Sequence, residues 1–125
     1  MLTLTLAQLN FTVGDVAGNV QKMIAAAHRA RDDGSSLVVF PERSLTGYYP
    51  GDLLEEPTLL DCIDAGLAEL RSASRQLPQL HWVVGAPLRR EGPGKRLENT
   101  LIVLHAGEVV LRYAKQLLPT YNIFD

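Results

Sequence analysis

The sequence lacks the features that mark several specialised classes of protein. Its single cysteine, Cys62, excludes an internal disulfide framework and fits a reducing compartment. No apolar run approaches the roughly 20 residues that a membrane-spanning helix needs. The first ten residues, MLTLTLAQLN, lack the basic segment of a signal peptide. We therefore expect a cytoplasmic protein without a membrane partner.

Charge of one sign is also scarce. Twelve Lys and Arg residues oppose fourteen Asp and Glu residues, giving a net charge of −2 with no long block of either sign. Binding to a phosphate backbone relies on accumulated positive charge, so nucleic acid is not an expected partner. His28, His81 and His105 have no paired metal-ligand spacing, so no metal site is predicted.

What remains is the composition of a globular domain with one core. Of the 125 residues, 46% are hydrophobic and 21% are charged. Two amphipathic helices are predicted, one following Asn19 as its cap and stopping at Gly34, the other over residues 57–77. Cys62 lies beside the apolar stripe of the second helix, where we expect a small buried hydrophobe rather than a nucleophile.

Five strands complete the predicted secondary structure. They cover residues 2–9, 36–40, 80–87, 97–105 and 108–118, and the second has the apolar pattern of a strand buried on both faces. A tight turn at Ala106 and Gly107 joins the last two. The order β-α-β-α-β-β-β predicts a mixed sheet in a layered α/β fold.

Two residues at predicted strand ends are candidates for catalysis. Glu42 follows the second strand in VVFPERSLTGYYPGDLL (38–54), and Lys115 follows EVVLRYA (108–114). Ligands gather outside the carboxyl ends of strands in layered α/β folds, although each residue taken alone is more often a solvated surface residue. Held together, the Glu would act as a base and the Lys would stabilise developing negative charge.

Three segments resemble, in order and spacing, the nitrilase-like glutaminase domain of glutamine-dependent NAD synthetases. They are AQLNFTVGDVAGN (7–19), VVFPERSLTGYYPGDLL (38–54) and YAKQLLPTYNIFD (113–125). F-P-E marks the wider nitrilase, or carbon-nitrogen hydrolase, superfamily, whereas the opening segment together with SLTGYYPGDLL is more specific for the NAD synthetase branch. The resemblance implies an α-β-β-α sandwich with a mixed sheet, and a Glu-Lys-Cys catalytic triad.

The resemblance also implies roles for individual residues. Glu42 corresponds to the general base and Lys115 to the lysine that stabilises the oxyanion. Four residues fall where the family lines its glutamine pocket: Tyr48, Leu118, Tyr121 and Phe124. The family nucleophile is a cysteine on a later strand, beyond residue 125, and Cys62 cannot replace it because it precedes Lys115 in a predicted helix.

We therefore expect residues 1–125 to form the N-terminal part of a glutamine amidohydrolase domain, without the synthetase domain. The chain alone should be inactive, should need no cofactor, and should form a homo-oligomer. Glutamine is the expected substrate, and ATP and Mg²⁺ would belong to the synthetase domain. The alternatives are part of another nitrilase-superfamily amidase, or a complete non-catalytic α/β binding module.

Overall fold

The fold comes from a computed structural model that describes residues 3–7, 10–12, 15–41, 44–45, 57–89 and 97–114. The elements in chain order are β1 (Leu4–Leu6), α1 (Val16–Asp32), β2 (Leu37–Val39), α2 (Pro57–Arg75), β3 (His81–Arg89), β4 (Leu97–His105) and β5 (Glu108–Ala114). This order confirms the predicted α/β fold with two helices and a mixed sheet. Among the described residues, no helix is both long and apolar enough to cross a membrane.

The sheet follows chain order, β1-β2-β3-β4-β5. The β1–β2 and β2–β3 pairs are parallel, whereas β3–β4 and β4–β5 are antiparallel. The two parallel connections carry α1 and α2. Because such crossovers are right-handed and both step in the same direction across the sheet, both helices cover the same face.

Helix α1 begins one turn earlier than the sequence predicts. Asp15 is its N-cap and accepts a hydrogen bond from the backbone N–H of Gly18 (3.1 Å). Asn19 is therefore not the cap. It lies inside the helix with no solvent exposure, and its side chain is free for a different role.

The end of α1 matches the prediction that Gly34 stops the helix. Gly34 has φ +82°, a conformation that a residue without Cβ adopts readily. Its N–H donates to the carbonyl of Arg31 (3.0 Å), and the N–H of Ser35 donates to that of Ala30 (2.9 Å). This is the Schellman pattern, which satisfies carbonyl groups at the helix end and turns the chain into β2.

The core lies between the helices and one face of the sheet. Its fully buried side chains include Val20, Met23, Val38, Leu45, Ile63, Leu70, Trp82, Val84 and Leu104. Phe40 packs beside Trp82 with ring centroids 6.1 Å apart. Trp82 and its paired neighbours Val38 and Leu104 form a row across three strands, so the helix-covered face supplies a continuous apolar surface.

The opposite face, here called the open face, is apolar but less well covered. One of its cross-strand rows consists of Leu6, Val39, Val83, Val103 and Leu111. Leu6 is 64% exposed and Leu111 is 54% exposed. On β2, Val38 is fully buried on the helix-covered face, and Val39 is half-buried on the open face.

Cys62 lies on α2, and its side chain is exposed. The prediction of a buried cysteine is wrong. Among the residues of α2 whose burial is described, Ile63, Gly66, Leu70 and Ser74 are buried. One residue of helix turns a side chain by about 100°, which takes Cys62 away from the stripe that holds Ile63.

Helix α2 is hydrogen-bonded to the turn between β4 and β5, which the sequence predicts at Ala106 and Gly107. The two central residues, Ala106 (φ 51°) and Gly107 (φ 88°), both have positive φ, as a two-residue type I′ hairpin requires. The carbonyl of Gly107 accepts a hydrogen bond from Nε of Arg71 (3.0 Å). The C-terminal part of α2 is thus tied to the antiparallel part of the sheet.

Candidate active site

Four of the five strands end at the same edge of the sheet. β1, β2 and β3 are parallel, and β5 runs in their direction because it is antiparallel to β4, which is antiparallel to β3. The segments after β2 and β5 therefore leave from one edge. This edge, called here the carboxyl edge, is where layered α/β folds bind ligands.

The register shows how closely the ends of β2 and β5 align. The N–H of Phe40 donates to the carbonyl of Val83 on β3 (3.0 Å). Ala114 pairs with Thr100, which pairs with Ala86 on β3. The two strand ends thus lie within a few residues of the same level, separated by three interstrand spacings, or roughly 14 Å.

The six predicted site residues all lie outside the described residues. They are Glu42, Tyr48, Lys115, Leu118, Tyr121 and Phe124. Their neighbours Pro41, Ser44, Leu45 and Ala114 are described. The structure therefore describes the strand ends and neighbouring residues that lead to the candidate site. We call these the framework of the site.

The framework after β2 is tightly connected. The carbonyl oxygen of Pro41 accepts hydrogen bonds from the backbone N–H of Ser44 (3.1 Å) and from its hydroxyl (2.6 Å). Ser44 and Leu45 have no solvent exposure. Glu42 thus lies in sequence between Pro41 and Ser44, which are hydrogen-bonded to each other.

Asn19 connects this framework to the segment after β1. Its Oδ1 accepts from the N–H of Thr12 (2.8 Å), and its Nδ2 donates to the carbonyls of Thr12 (2.8 Å) and Leu45 (3.1 Å). Sequence reasoning missed this role because it used Asn19 as a helix cap. The signal was Asp15, four residues earlier, which is equally suited to cap the helix.

A glycine on α2 completes the packing around Leu45. A Cβ on Gly66 would lie 2.9 Å from Cγ1 of Val16, 3.0 Å from Cγ2 of Val20 and 3.6 Å from Cδ1 of Leu45. The side chain of Leu45 therefore lies beside Gly66, where α2 packs against α1. Because Gly66 has no side chain, Val16 and Val20 can lie close to the backbone of α2.

Two histidines occupy the opposite edge of the sheet. His81 and His105 are cross-strand partners whose rings stack with centroids 4.1 Å apart and an interplanar angle of 6°. Nε2 of His105 is 2.8 Å from the carbonyl oxygen of Pro78. Among the described residues, no group of three or more His, Cys, Asp or Glu side chains could hold a metal ion.

The sequence of residues 3–123 matches the carbon-nitrogen hydrolase family. The chain belongs to this family. A curated relative of this carbon-nitrogen hydrolase, the glutamine-dependent NAD(+) synthetase of Aquifex aeolicus, is 41% identical over 125 residues. The alignment covers 100% of this chain but 21% of that relative, so the chain spans about a fifth of its length.

Solved structures confirm the nitrilase-type fold of this carbon-nitrogen hydrolase. The glutamine-dependent NAD+ synthetase of Acinetobacter baumannii, in complex with ADP, is 27% identical and superposes with a TM-score of 0.75, covering 96% of this chain and 22% of that one. An amidase from Nesterenkonia sp. is 28% identical with a TM-score of 0.78, covering 94% of this chain and 44% of the amidase. Two proteins named for different reactions thus share this fold.

Proposed function

We propose that residues 1–125 form the N-terminal part of a glutamine amidohydrolase domain of the kind that glutamine-dependent NAD synthetases carry. The 41% identity to the Aquifex aeolicus synthetase along the whole chain supports this assignment. Since the chain spans 21% of that relative, the nucleophilic cysteine and the synthetase domain would belong to the remaining part. The substrate of the domain would be glutamine, and its product would be ammonia.

The observation that carries the proposal is the shared carboxyl edge of β2 and β5, whereas the catalytic roles themselves come from the family resemblance. Glu42 follows Pro41 by one residue, and Lys115 follows Ala114 directly. Departing from two strand ends that run in the same direction, a carboxylate and an ammonium group can reach one substrate from two sides. We assign Glu42 as the general base and Lys115 as the group that stabilises the oxyanion.

The reaction would proceed through a thioester. Glu42 takes the proton of the cysteine thiol, and the thiolate attacks the side-chain amide carbon of glutamine. Lys115 stabilises the negative charge on the amide oxygen, and the proton passes from Glu42 to the leaving ammonia. Water then hydrolyses the thioester, releasing glutamate and the free thiol. The Nesterenkonia amidase also has an active-site cysteine, to which acrylamide adds in a Glu-to-Gln mutant of that enzyme.

The remaining site residues would select the substrate. Tyr48 follows β2, whereas Leu118, Tyr121 and Phe124 follow β5, so both loops would contribute to a glutamine pocket. Ammonia would then amidate deamido-NAD in the synthetase domain, the part that would use ATP and Mg²⁺. The amidohydrolase part would need no cofactor, since thiolate, carboxylate and ammonium suffice for amide hydrolysis.

A different amide substrate is the competing proposal within the family. The TM-score of 0.78 to the Nesterenkonia amidase favours it, but that protein is only 28% identical. The higher identity to the Aquifex aeolicus synthetase favours glutamine. Fold similarity does not select a substrate, because pocket side chains do so.

A segment exchange tests the proposal. This chain would replace the matching segment of the Aquifex aeolicus enzyme, and ammonia release would be measured with glutamine and with short aliphatic amides. We expect glutamine to be hydrolysed, and Glu42→Gln to lower the rate by about a hundredfold or more. Cys62→Ala serves as the control and should leave the rate unchanged. Hydrolysis of aliphatic amides in preference to glutamine would support the competing proposal instead.

A further inference from the structure

Asn19 is the side chain that joins the segments following β1 and β2. It has no solvent exposure and binds Thr12 on one segment and Leu45 on the other. We propose that Asn19 is a positioning residue, which anchors the chain carrying Glu42 and so sets the place of the catalytic carboxylate. The catalytic part of this inference rests on the proposed function, whereas the anchor itself does not.

The chemistry of the site requires an amide. A carboxamide has two N–H donors, and both donors of Asn19 are used, by the carbonyls of Thr12 and Leu45. Its oxygen accepts from the N–H of Thr12, so the side chain pairs with that residue as another peptide group would. Aspartate lacks the donors and leucine lacks all three groups, and in a buried site the unpaired carbonyls would be costly.

The anchor bears on Glu42 because Leu45, whose carbonyl Asn19 binds, follows Glu42 by only three residues. On the N-terminal side, Phe40 is fixed to β3 through its hydrogen bond to Val83. On the C-terminal side, Leu45 is fixed by Asn19 and by its packing near Gly66. Two fixed points on either side of Glu42 would restrict where its carboxylate can lie, and efficient acid-base catalysis requires such restriction.

Asn19 is not explained by a helix-forming role. Asp15 already caps α1, and an asparagine inside a helix lowers its intrinsic stability. Gln21, two residues later on the same helix, is exposed and bonds the side chain of Glu69 on α2. It is therefore a matched amide whose hydrogen bond runs to α2 and not to Thr12 or Leu45.

Hydrogen exchange on the 125-residue chain tests the anchor directly. In Asn19→Ala we expect the N–H of Ser44 to exchange about tenfold faster or more, the scale of one lost buried hydrogen bond. The N–H of Ser35, at the other end of α1, should change less, and Gln21→Ala should leave Ser44 unchanged. Equal acceleration at Ser35 and Ser44, or none at Ser44, would overturn the anchor.

Asn19→Asp tests the donor role separately from the loss of side-chain volume, because aspartate has the shape of asparagine. It keeps the acceptor for Thr12 but presents a carboxylate oxygen to two carbonyls, and burial raises the pKa of such a carboxyl. Lowering the pH from about 7 to about 5 should protonate it and restore one donor. Exchange at Ser44, corrected for the intrinsic rate, should then slow towards wild type, whereas Asn19→Ala should show no such rescue. Absence of rescue would contradict the donor role.

Activity in a longer version of the protein that includes the later cysteine tests the link to Glu42. Asn19→Ala should lower kcat by about tenfold or more and change KM less, because it displaces the base rather than the pocket. In a Glu42→Gln background the same substitution should have little further effect. An equal loss in both backgrounds would overturn the link. If Glu42→Gln alone leaves the rate unchanged, the proposed function is wrong. Hydrogen exchange at Ser44 would still test whether Asn19 anchors the segment after β2.

Discussion

The hydroxyl of Ser74 on α2 accepts a hydrogen bond from the backbone N–H of Gly107, 2.8 Å away in the turn between β4 and β5. The same hydroxyl donates to the carbonyl of Arg71 (2.7 Å). Ser74 has no solvent exposure. A buried side chain thus links the helix layer to the hairpin whose second strand leads to Lys115.

This link predicts the cost of removing one hydroxyl. Ser74→Ala leaves the N–H of Gly107 buried without its partner, which should lower the free energy of unfolding by about 1–3 kcal/mol. Ser72→Ala is the control, because Ser72 is exposed on the same helix. Urea denaturation of both variants measures the difference. Equal stabilities would show that water replaces the hydroxyl at this turn.

The close packing of α1 against Gly66 predicts whether Gly66→Ala raises or lowers the free energy of unfolding. Gly→Ala inside a helix ordinarily stabilises it by about 1 kcal/mol. Here the new methyl group would lie 2.9 Å from Val16 and 3.0 Å from Val20, so we expect a loss of about 1–3 kcal/mol instead. Thermal unfolding would measure it, with the exposed Ala65→Gly reporting helix propensity alone. A stabilised Gly66→Ala would mean that the helices separate without cost.

The open face predicts self-association of the 125-residue chain. Leu6, Leu111 and Tyr113 are 64%, 54% and 61% exposed, and apolar patches of this kind promote association. Sedimentation velocity should detect oligomers or aggregates at high concentration. Leu111→Lys should reduce them, because it places a charge in the apolar row.

The matched control is Ala68→Lys, which adds the same charge at an exposed position on α2. It should leave the association unchanged. A compact monomer at high concentration, without binding of a hydrophobic dye, would contradict the account of the open face.

Much of the secondary structure was predictable from local patterns. The bounds of β4 coincide with the predicted 97–105, because alternation and flanking turn residues are both local signals. Gly34 stops α1 as predicted, since the positive φ is a requirement that few residues meet. The tight turn at Ala106 and Gly107 was also predicted. The positive φ of Ala106 was not predicted.

The errors concern burial, which depends on tertiary packing. Cys62 is exposed because it lies one residue away from Ile63, which belongs to the buried stripe of α2. The apolar pattern of β2 could not reveal how far Leu37 and Val39 would be covered. Asn19 was assigned to the helix cap because side-chain type alone does not distinguish a cap from a buried bridge.

For the candidate site, the sequence predicts the residues and the fold shows how the strands that lead to them are arranged. The roles of Glu42 and Lys115 came from motif resemblance and stay predictions. What the fold adds is the common edge of β2 and β5, which follows from the pairing of β3, β4 and β5 and cannot be read from either motif alone.

Ammonia release from glutamine tests the central claim most directly. It would be measured for the 125-residue chain and for a longer version that includes the later cysteine, with Glu42→Gln, Lys115→Ala and Cys62→Ala in each. We expect no activity above background for the short chain, because its only thiol is Cys62 on α2.

The longer version should be active and insensitive to Cys62→Ala, and Glu42→Gln and Lys115→Ala should each lower its rate by about a hundredfold or more, the scale of losing a base or an oxyanion donor. Full activity in either of these two variants, or activity of the short chain that Cys62→Ala abolishes, would contradict the account.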